Sequence, residues 1–212
     1  IVAGIAKASK RPAVLVSASA VGIYGISRKG TLDEDSSLGK DFLADLCQQW
    51  EAAARPVEEH GVRAAQIRIG IVLGDGGALE AMLGPGRLFV GGPIGKGDNY
   101  MPWVHIDDVV GMALMALDDD QVRGPMNATS PFHATAKEVA KTAASVLGRP
   151  AVGMPAFVAK RVLGAEFTEA VCGNQKIEPK RAIEYGYEFR NARLLQALET
   201  TLMGHEEALM TA

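Results

Sequence analysis

Two short runs rich in valine and isoleucine, AVLVSASA after Pro12 and VRAAQIRIGIVLG after Gly61, flank a single stretch of helical period. That order constrains the fold more than any other feature of the chain. A near-continuous apolar run of strand length suits a strand covered on both faces, which is how parallel strands are found. Between the runs, Phe42, Leu46, Trp50, Ala53 and Val57 recur at helical steps, and Gly61 supplies a stop. The pattern predicts a helix that packs this stripe, Trp50 included, against the core. Pro56 lies inside it and should end or kink the regular part. Strand, helix and parallel strand make a crossover unit, right-handed almost without exception. Ahead of Pro12, IVAGIAKASK reads as the end of a helix with no cap before it, and the chain opens on Ile1. The expectation is the later part of a longer protein.

Glycine is the compositional outlier, at 24 of 212 residues, about 11% against a usual ~7%. Eight glycine or proline interruptions fall between Gly84 and Gly97. So irregular a loop in a compact chain is usually functional or mobile. A short extended stretch, YMPWVH, then leads into a helix with Asp107 and Asp108 in its first turn, where acidic groups suit the helix dipole. MNAT is a strand candidate, and Thr135 with Glu138 is a capping box ahead of a helix stopped by Gly148 and Pro150. The remainder reads as helical. Residues 1–127 are expected to form the later half of a Rossmann-like unit, 128–204 a helical module and 205–212 a tail.

Composition excludes several classes. No run reaches the roughly 18 apolar residues of a membrane span, and a net charge of -3 lacks the basic excess of a nucleic-acid binder. Cys47 and Cys172 form no disulfide framework and no Cys/His cluster marks a metal site, so a reduced, cytoplasmic setting is expected. Cys47 reads as a small core residue. The acidic runs Asp33–Asp35 and Asp118–Asp120 read as solvated loop edges.

VLVSASAVGIYG followed by WVHIDDVV resembles the extended short-chain dehydrogenase/reductase superfamily. RIGIVLGDGGALEAM, GGPIGKGDNYMPW and KIEPKRAIEYGYEFR narrow the resemblance to its atypical, nucleotide-sugar epimerase-like branch. The likeness runs from Arg11 to about Leu202. It implies an α/β fold, the C-terminal part of a doubly wound parallel sheet with a mostly helical C-terminal region. It also implies an N-terminal half, outside this sequence, whose glycine-rich turn sets the cofactor pyrophosphate on a helix N-terminus. NADP or NAD is the implied cofactor, with a lean to NADP. A small polar substrate such as a nucleotide sugar is the implied partner, and the family pattern admits a homodimer.

Ligands of open parallel sheets sit beyond the carboxyl ends of the strands. One such end carries Ser17, Ala18, Ser19 and Tyr24, and the other Arg68, Ile69, Gly70 and Ile71. The serines read either as a hydrogen-bonded strand terminus or as cofactor contacts, and the resemblance selects the second. Ser17, Ala18, Arg68, Ile69, Gly70 and Ile71 are therefore the expected cofactor residues. The superfamily's tyrosine and lysine, which exchange a proton with substrate during hydride transfer, fall on Leu43 and Cys47, and its hydroxyl on Ala20. Ser19 and Tyr24 remain as candidate catalytic groups. Trp103, beside the glycine loop, is expected as a substrate wall. His105 either reaches substrate or braces the strand–helix joint. No metal is expected. These residues point to an NAD(P)-dependent oxidoreductase or isomerase. The absent tyrosine–lysine pair supports an alternative, an NADP(H)-binding module without turnover.

Overall fold

The computed structural model describes residues 1–77, 79–80, 90–164, 168 and 172–210. In chain order the elements are α1 (Val2–Lys7), β1 (Val14–Ala20), β2 (Ser27–Leu32), α2 (Phe42–Ala54), β3 (Arg63–Ile69) and β4 (Ile71–Leu73). Then come β5 (Val90–Ile94), β6 (Tyr100–Met101), β7 (Trp103–His105), α3 (Ile106–Asp118), β8 (Gly124–Ala128), β9 (Ala134–Thr135) and α4 (Ala136–Val146). The chain ends with β10 (Ala151–Met154), α5 (Ala156–Leu163), β11 (Asn174–Ile177), α6 (Lys180–Glu184) and α7 (Leu194–Met210). α7 therefore continues through residues expected as a tail. Much of the expected glycine loop, 84–89, lies outside the described residues; Val90–Ile94 form a strand paired with β10.

The two apolar runs form adjacent parallel strands, β1 on β3, and β8 joins the far side of β3. The expected break at Pro56 is present: α2 gives way to a 3-10 segment over Arg55–His60, ended by Gly61 at φ 74°. Alternation along β3 sends its side chains to two faces. Ala65 and Ile67 pack with Met112 and Ala116 of α3, together with Met126 of β8. Ala64 instead meets Val57 and Val62, and Arg68 reaches Glu51 of α2. Helices thus cover both faces of the sheet. A second core, with Leu73, Trp103, Val139 and Leu198, joins β4 and β7 to α4 and α7.

The face of α2 differs from the sequence expectation. Its buried side is Ala44, Cys47, Glu51 and Ala54, whereas Trp50 is 54% and Phe42 79% exposed. Small residues bring the helix close to the sheet, and Glu51 turns inward because Arg68 waits there. Cys47 is buried as expected, and burial pushes its thiol above the ordinary value. The capping box is complete, with Thr135 N–H donating to Glu138 Oε2 at 2.7 Å and Glu138 N–H to Thr135 Oγ1 at 3.2 Å.

Glu34 corrects the reading of its acidic run. Its carboxylate is buried, and Oε1 accepts from the backbone N–H groups of Asn127 (2.8 Å) and Arg181 (3.2 Å). Here a side chain occupies the edge of β8 that a further strand would otherwise take. Burial outweighs these hydrogen bonds and raises the Glu34 pKa above its ordinary 4.5. A raised native pKa favours the neutral form, so the stability this group contributes is whole below about pH 4.5 and is lost as pH rises through the raised value. Glu34→Gln, which cannot ionise, should therefore gain on the wild type as pH rises from 4.5 to 7.5, measured as the difference in melting temperature. A difference that stays flat across this range would count against the assignment.

Among the described residues, no helix is long and apolar enough to cross a membrane, and no group of three or more His, Cys, Asp or Glu side chains could hold a metal.

Candidate functional site

At the carboxyl ends of β1 and β3 both strands turn off the sheet. The turn after β1, Val21–Tyr24, is a 3-10 turn that leaves through Gly25 at φ 91°. Neighbouring segments hold it in place. Gly39 N–H donates to Ile23 O at 2.8 Å, and Asp41, the N-cap of α2, accepts from Ala44 N–H and, through Oδ2, from Ile26 N–H at 2.9 Å. Gln175 of β11 donates through Nε2 to Gly25 O at 2.6 Å and Val21 O at 3.2 Å. After β3, Gly70 passes so close to Pro102 that a β-carbon would stand 2.4 Å from its carbonyl oxygen.

Between these turns lies a cleft of about 250 Å³. Ala20–Gly22 line one side and Ile69–Ile71 the other; Leu43, Met101–Pro102, Gly173 and Gln175 complete it. A β-carbon on Gly22 would lie 3.7 Å from that of Leu43, so a larger residue there would fill space that the cleft uses. The lining is apolar apart from backbone groups and the Gln175 carboxamide.

Beneath the cleft is a buried polar row. Ser19, Arg68 and Asn127 are register partners across β1, β3 and β8. Arg68 makes a two-pronged pair with Glu51, Nε to Oε1 at 2.8 Å and Nη2 to Oε2 at 2.9 Å. Its Nη1 donates to the Tyr24 oxygen at 2.9 Å, and Tyr24 donates onward to Asn127 Oδ1 at 2.8 Å. Ser19 Oγ donates to Glu51 Oε1 at 2.8 Å. Burial pulls the Arg68 pKa down, but the hydrogen bonds and charge of Glu51 hold it above its ordinary value. Burial pushes the Tyr24 phenol up, and Arg68 offsets only part of that rise.

These contacts redistribute the expected roles. Ile69, Gly70 and Ile71 do line the cleft. Arg68 is turned into the row, and Ser17 and Ala18 lie lower on β1, with Ser17 Oγ donating to Ala18 O at 3.2 Å. Ser19 and Tyr24, expected as catalytic groups, are enclosed in the row with their hydroxyls committed, and Tyr24 is 0% exposed. They position the strand ends and do not face the cleft. Trp103 is not a wall: β7 pairs with β4, the indole is 1% exposed in the second core, and its N–H donates to Phe132 O at 3.1 Å. Its neighbours Met101 and Pro102 take the wall instead.

His105 braces the joint between β7 and α3. It is buried, caps α3 by accepting at Nδ1 from Asp107 N–H (3.2 Å), and lies 3.0 Å from Asn191 Nδ2. The same Nδ1 lies 3.5 Å from the Asp107 carboxylate. Asp108 does more than favour the helix dipole. It accepts from the N–H groups of Arg190 (2.7 Å) and Asn191 (3.1 Å) and from the Tyr187 hydroxyl (3.1 Å). Sequence reasoning also missed Gln175, because a polar NQKI segment carries no strand signal of its own. Leu43 was reachable only by counting along the resemblance, and the structure puts it in the cleft.

Comparison with known proteins places this geometry in a lineage. Residues 154–201 match the domain of unknown function DUF1731. The epimerase family protein SDR39U1 homolog, chloroplastic, of Arabidopsis thaliana is 43% identical over 197 residues, which cover 92% of this chain and 56% of the relative. Epimerase family protein SDR39U1 of Bos taurus is 38% identical over 202 residues, covering 93% of this chain and 68% of the relative. The chain belongs to the SDR39U1 epimerase family. A crystal structure of human SDR39U1 (isoform 2) with NADPH matches at TM-score 0.89 and 36% identity, covering 95% of this chain and 69% of that one. This SDR39U1-family chain therefore spans little more than half the length of its Arabidopsis relative and about two thirds of the bovine one. Its fold is the α/β Rossmann-like fold of NAD(P)-binding epimerases.

Proposed function

We propose that the cleft receives the nicotinamide end of NADP(H), and that the protein is an NAD(P)-dependent epimerase-like oxidoreductase or isomerase acting on a small polar substrate of the nucleotide-sugar class. The observation that carries this reading is the cleft itself. It is an apolar slot at the carboxyl ends of two parallel strands, with Gly22 on one side and Gly70 on the other. A planar ring fits between such walls, and the NADPH in the human relative supports the choice of ligand. The bound cofactor would supply the hydride donor or acceptor. Leu43, Ile69 and Ile71 would keep water from the ring, and the residues beneath would hold the two turns at a fixed spacing. β1 pairs with no second strand among the described residues. In this reading its open edge is where the first half of the sheet, with the pyrophosphate turn, lies. The division near Asn127 belongs to the same proposal, and the DUF1731 match within 128–204 supports it.

One observation favours a second reading. Leu43 lines the cleft where the superfamily resemblance puts a tyrosine, and neither Ser19 nor Tyr24 faces it. A site so lined suits an NADP(H)-binding module without turnover.

Titrating the full-length protein with NADPH and NADH in a thermal-shift experiment tests the shared premise. At about 100 times the dissociation constant, a ligand of the native state adds roughly 2.7 kcal/mol, a rise of several degrees for a protein of this size. A rise with NADPH, followed by oxidation of the bound cofactor in a screen of nucleotide sugars, is the outcome expected of the enzyme. A rise without oxidation of cofactor by any member of the screen would favour the module. No rise with either nucleotide would overturn both readings.

A further inference from the structure

Gln175 belongs to the segment matched by DUF1731, yet it lines the cleft together with the ends of β1 and β3. Its orientation is fixed by chemistry. Nε2 faces two carbonyl oxygens, Gly25 O at 2.6 Å and Val21 O at 3.2 Å, and only an amide NH2 can satisfy both. Both amide hydrogens are thereby committed. Oε1, the remaining polar atom of this cleft-lining side chain, has no donor among the described residues.

Its backbone is held on two sides. β11 pairs in parallel with β2, Asn174 opposite Ser27 and Lys176 opposite Thr31. Asn99 Nδ2 donates to Gly173 O at 3.0 Å, and Asn174 Oδ1 accepts from Tyr100 N–H at 2.8 Å. Those contacts tie the Gln175 segment to the residues leading into Met101 and Pro102, another part of the lining. The carboxamide is therefore set in place before any ligand arrives, which favours recognition because little order must be gained on binding.

We propose that Gln175 is a cofactor-recognition residue: its Oε1 accepts a hydrogen bond from the carboxamide NH2 of the nicotinamide, while its Nε2 holds the adjoining Val21–Gly25 turn, whose first residues line the cleft. The C-terminal module thereby supplies part of the cofactor site. This rests on the nicotinamide reading of the cleft.

The test uses the full-length protein and two ligands, NADPH and its reduced 3-acetylpyridine analogue, in which a methyl ketone replaces the carboxamide and removes the N–H donor. The wild type should bind NADPH roughly five- to tenfold more tightly than the analogue, the range expected for one hydrogen bond. Gln175→Met, similar in length but without either polar atom, should bind the two alike. Gln175→Asn, which withdraws the carboxamide by one methylene, should show the same loss of preference and guards against a methionine variant that fails to fold. Equal binding of both ligands by the wild type would overturn the proposal. So would variants that weaken both ligands by one factor and keep the preference, because Gln175 would then only prop the turn. Failure of the wild type to bind either ligand would instead bring down the nicotinamide reading, and this inference with it.

Discussion

Replacing Glu51 by alanine is expected to destabilise the protein by about 3–5 kcal/mol, a fall of roughly 6–20 °C in melting temperature. The size follows from what the substitution leaves behind. Arg68 is buried, and Glu51 accepts from its Nε at 2.8 Å and its Nη2 at 2.9 Å. Without the carboxylate, a guanidinium that cannot lose its proton remains inside the protein, and Ser19 Oγ loses its acceptor as well. The loss is not the worth of the pair. Exchanging both partners for apolar residues of similar volume, as in Glu51→Leu with Arg68→Met, should recover much of the stability lost in the single variant, because the uncompensated charge is gone. Thermal melts of the two single variants and the double variant check this. A double variant no more stable than Glu51→Ala would show that Tyr24 and Asn127 depend on Arg68 more heavily than the charge balance implies.

Asp108→Ala should have the next largest effect, about 3–5 kcal/mol in urea unfolding, through a different route. Its buried carboxylate receives the backbone N–H groups of Arg190 and Asn191 and the Tyr187 hydroxyl, which join α3 to the segment ahead of α7. Alanine leaves three donors in a sheltered place with no acceptor. The local consequence should be visible apart from the global one: limited proteolysis should cut near residues 185–193 faster in the variant than elsewhere in the chain. Asp108→Asn keeps one carbonyl oxygen and should fall between the two. Equal stability of Asp108→Ala and the wild type would mean that water replaces the carboxylate at little cost.

The parallel pair β1–β3 was legible because apolar runs of strand length, broken by proline and glycine, have few other uses. The break at Pro56 and the cap at Thr135 were legible because they rest on single residues with local geometry. The face of α2 was not. A periodicity argument follows apolar volume, and this helix gives its sheet side to alanines, Cys47 and a paired glutamate, leaving Phe42 and Trp50 outside. Glu34 escaped for a related reason. A run of three acidic residues suggests solvent, and the two backbone N–H groups that draw the middle one inward come from residues 93 and 147 positions away. Trp103 read as a wall because it lies close to the glycine loop in sequence, whereas pairing of β7 with β4 carries it into a core. The cleft depended on the resemblance for its location and on the structure for its lining, with Gln175 arriving from a strand too short and polar to announce itself.

The row formed by Ser19, Arg68 and Asn127 has a consequence for how the chain folds. In a sheet, a slip of one residue sends every side chain of a strand to the opposite face. If β3 docked one residue out of step, Arg68 would enter the layer occupied by Met112, Ala116 and Met126, with no carboxylate within reach. Ile67 would in exchange confront Glu51. An apolar strand such as VLVSASA has little of its own to distinguish one alignment from the next, and neighbouring registers would otherwise compete closely. The arginine makes the misaligned sheets too expensive to populate, so the strands mate in one way only.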